Sequence, residues 1–253
     1  MTTPVVIFWF RRDLRLQDNA GLAQALGSGH RVLPVFIFDA NILTELPKDD
    51  ARVTFIFDTL QTLRAELEAK YGSSLALYHG EPLAVFERIL HAYPVAAVYT
   101  NEDYEPYARE RDDAVNRWLS ARSVTFHRFK DHVVFEKKEI VKDDGNPYAV
   151  YTPYMRKWRR LLNQAALTTH PSAERLAGLV TCPPFPNVSL ADMGFVRSPI
   201  TVPMHQLSMD RLQRYATDRD FPARFVASGL SPHLRFGTVS IRQIVQQVLN
   251  ISD

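Results

Sequence analysis

The stretch VVIFWFRRDLRLQDNAGLAQAL, residues 5–26, decides how the chain folds. It opens with an unbroken apolar run, Val5–Phe10, rich in β-branched and aromatic residues, which predicts a strand buried on both faces. A charged turn follows, Arg11-Arg12-Asp13-Leu14-Arg15, and then a short helical segment through Leu26 for which Asp18 is the expected N-cap. The rest of the first half repeats this order. Further strands are expected over residues 32–38, 74–78, 95–100 and 124–129. Between them Val53, Ile56, Phe57, Leu60, Leu63 and Leu67 form an apolar stripe at helical spacing. Pro82 opens a second helix carrying Leu83, Phe86, Ile89 and Leu90, and Ala108, Val115, Trp118 and Leu119 mark a third with Arg111 at its border. Strand–helix alternation of this kind implies an α/β fold, a doubly wound, Rossmann-like parallel sheet of five strands with helices on both faces.

The chain has 253 residues, 46% of them hydrophobic, enough for a substantial core in one large domain or two ordinary ones. A formal charge of +2 is too small to announce a nucleic-acid surface, so any such surface must come from local clustering. The single cysteine, Cys182, excludes an internal disulfide framework and a multi-cysteine metal site. The apolar run near the N-terminus is too short for a signal sequence or a membrane span, which predicts a cytoplasmic protein with no membrane partner.

Ligands of open parallel sheets lie beyond the carboxyl ends of the strands. The turn after the first strand has no Gly-rich fingerprint, which speaks against an ordinary NAD site. Arg11, Arg12, Asp13 and Arg15 read as a solvated turn whose exposed ion pairs contribute only ~0–1 kcal/mol. Asp39 at the end of the second strand, and NEDYEPYARERD (101–112) after the fourth, place polar and aromatic groups where a flat or nucleotide-like ligand would lie.

In the second half, GNPYAVYTPYMRKWRRLLNQ (145–164) predicts a basic helix. Arg156, Lys157, Arg159 and Arg160 either contact phosphates or face solvent while the aromatic residues pack inward. Residues 170–203 are Pro- and Ser-rich with weak periodicity and read as a long linker; helices are expected over 204–218 and 241–251. In SGLSPHLRFGTVSIR (228–242), Ser231 before Pro232 has the form of a helix start, Gly237 of a left-handed cap, and Ser240 of the next N-cap. Such a turn is either ordinary capping or a phosphate site. About fifty residues after the linker cannot enclose a core of their own. Yet Ile241, Ile244, Val245, Val248 and Leu249 form an apolar stripe that needs cover, from the front domain, another chain or further sequence, and further sequence is the expectation adopted. The chain therefore divides into an α/β domain (1–135), a connector (136–203) and the incomplete beginning of a helical domain (204–253).

Taken together, VIFWFRRDLRLQDNAGLAQAL, VLPVFIFDANIL, YEPYARERDDAV, YAVYTPYMRKW and RDFPARFVASGLSPHLRFGTVSIRQIV resemble the DNA photolyase/cryptochrome family. The resemblance runs from residue 4 to the end and keeps the family's order of segments. It implies an α/β antenna domain, a connector and a helical domain that holds FAD. It further implies light-driven, flavin-dependent repair of cyclobutane pyrimidine dimers, with UV-damaged DNA as partner of the intact protein. Carried over by position, Tyr215, Ser228, Leu230 and Ser231 match the start of the FAD site. Ala227 stands where the family usually has threonine, a lost hydrogen bond to a charged group worth ~1.5–3 kcal/mol. Tyr107 and Ala108 stand where folate-type antennas carry an Asn-Glu pair. The resemblance therefore favours a deazaflavin-type antenna chromophore, with Asp39, Arg52 and Asp103 as contacts, against the alternative that these side chains only cap helices and pair with each other. Two alternatives to repair remain: a cryptochrome-like photoreceptor, and a stand-alone antenna domain that self-associates through its last helix.

Overall fold

The protein's structure, a computed structural model, describes residues 3–162, 167–181, 185–221, 223–224 and 227–252; Cys182 lies outside the described residues. Strand β1 (Val5–Phe10) is buried along its whole length, as its unbroken apolar run requires. Its side chains alternate between two cores. Val6, Phe8 and Phe10 face one, Ile7 and Trp9 the other. On either side stand β2 (Arg31–Asp39) and β4 (Val95–Asn101), with β3 (Ala76–Gly80) and β5 (Thr125–Phe129) outside them; every pair is parallel, in the order β3-β2-β1-β4-β5. Helix α1 (Ala20–Leu26) and the long α3 (Ala51–Tyr71) cover the first core, while α4 (Pro82–Ala92) and α5 (Pro106–Ser120) cover the second; a short α2 (Ala40–Leu43) follows β2. The expected doubly wound sheet is present, with β3 beginning two residues later than its apolar run.

The cap of α1 is Asn19 and not Asp18. The Asn19 side chain accepts from Leu22 N, and Asp18 adopts a left-handed φ of 48° that takes its carboxylate out of the helix. Gly21 lets this helix approach the sheet closely: a Cβ there would stand 2.8 Å from Asn101 Oδ1 and 2.9 Å from the Phe8 ring.

The connector is exposed along most of its first part and meets the α/β body mainly through its second. Helix α6 (Tyr151–Leu161) leaves Arg156, Arg159 and Arg160 in solvent as expected, but Tyr151 and Tyr154 are exposed too, and only Trp158 turns inward, edge-on to Phe135 at 5.5 Å. Residues 170–203 do not form the loose linker that weak periodicity suggests. Two 3₁₀ turns, Ala173–Gly178 and Ala191–Met193, bury Leu176, Leu179, Met193 and Phe195 against the first core. Val180 N donates to Val32 O and Leu77 N to Pro186 O, so the segment is stitched along the sheet. Irregular backbone buries residues singly, and no helical or strand period announces it.

The last part carries α7 (Met209–Asp218), α8 (Leu230–Arg235) and α9 (Ile241–Ser252). Helix α7 starts five residues later than expected because Ser208 caps it, accepting from Arg211 N. Helix α8 is preceded by left-handed Gly229, so Ser231 lies inside its first turn and is not its N-cap. Gly237 has the expected left-handed φ, 63°, and a Cβ there would fall 2.2 Å from Arg12 O. Among the described residues no helix is long and apolar enough to cross a membrane.

Helix α9 is fastened to the α/β body by buried charge; of its apolar stripe only Ile244 is buried, while Ile241, Val245 and Val248 are half-buried. Arg242 Nε lies 3.1 Å from Asp18 Oδ2, and its Nη2 lies 2.9 Å from Asp131 Oδ1. Ser240 Oγ donates to Asp18, and Arg15 Nη2 donates to Asp131 at 2.6 Å. Asp131 also accepts from Ala20 N at the start of α1. Burial alone would raise the Asp131 carboxyl, but Arg15 and Arg242 hold it below the usual carboxylate range. Ile244 is buried beside this cluster, while Leu249 on the far side is exposed. Removing one member of a buried ion pair strands its partner, at a cost of about 3–5 kcal/mol. Asp18→Ala is therefore expected to lower unfolding free energy by about that amount, measured by urea denaturation.

Candidate functional site

Beyond the carboxyl ends of β1, β2 and β4 the surface opens into a cleft of about 510 Å³, the size of an ordinary small-molecule site. Its apolar lining comes from Trp9 on β1, Phe36 and Phe38 on β2, and Val53 and Ile56 on α3. The opposite wall is α8 and its C-terminal end, through Ser231, Pro232, Arg235 and Phe236. Charged side chains stand among these: Arg11, Arg12, Asp39, Arg52, Asp103 and Arg111. An apolar slot with a few convergent polar groups fits a flat, amphipathic ring.

Each charged group is held in place by the turn that carries it. Asp39 ends β2 and caps α2, accepting from Asn41 N at 3.1 Å. The Tyr107 hydroxyl donates to it at 2.7 Å, and Arg111 Nη1 stands 3.8 Å away. Burial, reinforced by the hydrogen bond to Asp39, pushes the Tyr107 hydroxyl up to about 12. Asp103, in the loop after β4, accepts from Arg12 Nη1 at 3.0 Å and from Glu105 N at 3.3 Å. Burial works to raise its carboxyl, yet Arg12 and the Glu105 N–H hold it below the usual carboxylate range. Arg12 also donates from Nε to Arg235 O at 3.1 Å, and Arg235 Nη1 reaches Glu105 at 2.8 Å. These two arginines pin α8 to the strand ends and so fix the width of the cleft. Arg52, in the first turn of α3, is the most exposed of the set and forks onto Asp50 at 2.6 and 2.9 Å.

Of the positions singled out in the sequence, Asp39, Arg52, Asp103 and Ser231 meet on this one cleft. Of the first three only Asp39 caps a helix, and none pairs with another of them, since Asp39 meets Tyr107 and Arg111, Arg52 meets Asp50 and Asp103 meets Arg12; all three line the cavity. Ser228 Oγ instead accepts from Leu230 N at 3.4 Å, a local turn contact. Tyr215 is half-exposed on α7, which is tied to that turn by Arg211 Nη1 donating to Ala227 O.

The turn Arg11–Arg15 is not solvated. Arg11, Asp13 and Arg15 are all buried, and each has a side-chain partner far along the chain, Asp112 for Arg11, Asn101 for Asp13 and Asp131 for Arg15. Arg11 Nη1 donates to Asp112 and Nη2 to Asn101 O, while Asn101 Nδ2 donates to Asp13 at 2.6 Å. Arg111 shares the Asp112 carboxylate with Arg11, and the two guanidinium carbons lie 4.9 and 5.1 Å from the Trp9 ring centre. The available signal was Asp112 itself. With Ala108, Val115 and Leu119 it occupies the buried face of α5, where a carboxylate requires a cation.

A family model described as DNA photolyase matches residues 6–174. This chain belongs to the DNA photolyase family. The deoxyribodipyrimidine photo-lyase of Halobacterium salinarum is 35% identical to it over 261 residues, covering 95% of this chain and 53% of that protein. A Synechococcus sp. (strain PCC 6716) protein, described as an uncharacterized 31.6 kDa protein in the atpI 5' region, is 33% identical and covers 96% of this chain and 89% of its own length. Among solved structures, the archaeal photolyase from Sulfolobus tokodaii, described as holding two FAD molecules, superposes with a TM-score of 0.71 at 28% identity, covering 96% of this chain and 54% of that one. The photolyase-family chain thus spans about half the length of the curated photolyases it matches.

His132 lies at the edge of the site, its Nε2–H donating to Arg12 O. Burial, then the charge of Arg12, holds its imidazole below the usual value of 6.5, and burial does the same to His170. With the folded value depressed, the unfolded chain takes up protons first as pH falls, so stability is full above 6.5 and is lost below it. Burial raises the Asp13 carboxyl and works in the opposite sense, so the comparison with a variant isolates the imidazole. The urea midpoint is expected to drop between pH 8 and pH 5.5, and to drop less in His132→Gln, whose amide keeps a donor for Arg12 O.

Proposed function

We propose that this chain is the light-collecting part of a flavin-dependent DNA-repair system. Its cleft binds a flat tricyclic chromophore of the deazaflavin type, and residues 204–253 contribute the first elements of a FAD site. The observation that carries the reading is the cleft itself, apolar where a ring would insert and charged where a polar chain would emerge. When bound, the chromophore supplies absorption of light; the protein orients it and keeps water from its faces. Phe36, Phe38 and Ile56 provide apolar contact, Arg52 and Asp103 the polar contacts at the rim, and Tyr107 holds Asp39 in place.

Folate is disfavoured because Tyr107 and Ala108 stand where folate-type antennas carry an Asn-Glu pair; the Tyr107 hydroxyl instead donates to Asp39. A flavin-like ring is supported by the two FAD molecules ascribed to the Sulfolobus tokodaii photolyase. For the catalytic FAD, the matching residues Tyr215, Ser228, Leu230 and Ser231 do not converge on a single enclosed pocket, since Ser231 lines the antenna cleft and Tyr215 is half-exposed. FAD binding and repair of cyclobutane pyrimidine dimers are accordingly proposed for a helical domain of the length found in the curated photolyases.

Titration with a 5-deazaflavin and with riboflavin, followed by ligand fluorescence, is expected to show one-to-one binding. Arg52→Ala, on an exposed rim position, is expected to weaken it about tenfold, the loss of one charge-assisted hydrogen bond. Failure of both rings to bind, or affinity untouched by Arg52→Ala and Asp103→Ala alike, contradicts the assignment.

A further inference from the structure

The two edges of the parallel sheet are finished differently. Outside β3 the connector lies along the strand: Leu77 N donates to Pro186 O at 2.9 Å, and Arg64 Nη1 to the same carbonyl at 3.0 Å. Outside β5, among the described residues, the backbone meets nothing. Phe129 O accepts from Glu102 N, just after β4. Successive backbone groups of a strand point to opposite sides, so the N–H and C=O of Phe126 and Arg128 point away from the sheet. Such an edge is a template for pairing with another chain. Arg128 does not blunt it. Its side chain folds back over the sheet face to Asp113 on α5 at 3.2 Å, with the guanidinium 6.0 Å from the Phe126 ring centre.

That ion pair fixes which side of α5 overhangs the edge. Glu110, Asp113 and Arg117 follow one another at helical spacing on that side, and all three are exposed. Glu110 and Arg117 have no ion-pair partner among the described residues. A strip that is acidic at one end and basic at the other complements a second copy of itself running the opposite way.

We propose that β5 pairs antiparallel with β5 of a second copy of this chain, about a twofold axis at His127, joining the two sheets into one. Phe126 of each copy then faces Arg128 of the other, and the outward N–H and C=O groups of both residues are paired. Slipping the register one way sets Arg128 against Arg128. Slipping it the other way sets Arg128 against Val124, whose N–H is already given to Leu119 O. The helices agree with this register. A strand advances ~3.3 Å per residue and a helix ~1.5 Å, so with Asp113 beside Arg128 the level of His127 falls near Val115 on α5. Asp113 and Arg117 stand on either side of that level, and each meets the other's counterpart across the axis. Helix α9 takes no part, since its Arg242 and Ile244 are buried in the α/β body. The interface is independent of what the cleft binds.

Sedimentation equilibrium of the whole chain at low ionic strength is expected to show a monomer–dimer equilibrium. Asp113→Arg turns attraction into repulsion twice, once on each side of the axis, and is expected to weaken the dimer about tenfold. Adding Arg117→Asp to it reverses the strip without spoiling its complementarity and is expected to restore the dimer, which also controls for folding. Hydrogen exchange at the Phe126 and Arg128 amides is expected to slow as the dimer forms. A monomer at every concentration overturns the proposal. So does a dimer indifferent to Asp113→Arg, one that the double exchange does not restore, or one in which those two amides stay fast.

Discussion

Arg242 enters the α/β body from the last helix and meets Asp18 and Asp131 where water does not reach. Two carboxylates and two arginines, Arg15 being the second, share this space with the N-terminus of α1. A cluster of this kind adds little net energy over apolar packing, but it is costly to leave half-made. Its effect is therefore geometric. The short chain between α8 and α9 must run over the turn after β1, and the arginines fix where it lies. Gly237 permits that path, since its φ of 63° and the 2.2 Å approach of a would-be Cβ to Arg12 O leave room for no side chain.

The cleft follows from this placement. Strands β1 and β2 carry Trp9 and Phe38 to the end of the sheet, as any doubly wound fold does. A sheet end alone is an open ledge; the facing wall is α8, delivered by the latch and held by Arg12 and Arg235. The charges around the slot are largely neutralised in pairs, Arg12 with Asp103, Arg52 with Asp50, and Arg11 with Asp112. That balance suits a neutral ring in the slot.

The sheet was legible because its strands are local events: five apolar runs of the right length, each followed by a turn and a helical stripe. Family membership was legible in the order of whole segments. The latch was not, because its partners are separated by 116 residues for Arg15 and Asp131 and by 224 for Asp18 and Arg242. Local reading made Asp18 a cap and Arg11–Arg15 a wet turn, since nothing within a few positions showed that these groups were buried. The stretch 170–203 failed for a different reason. Its 3₁₀ turns bury one residue at a time, a pattern with no period to detect. Asp39, Arg52 and Asp103 came from family resemblance and do meet on one cavity.

The central claim is that α9 and the α/β body form one cooperative unit through buried charge. Native-state hydrogen exchange measures this directly. The account predicts that the amides of α9 around Ile244 open with nearly the same free energy as those of β1. Exchange in α9 faster by orders of magnitude, with β1 still protected, would show that the latch does not join them.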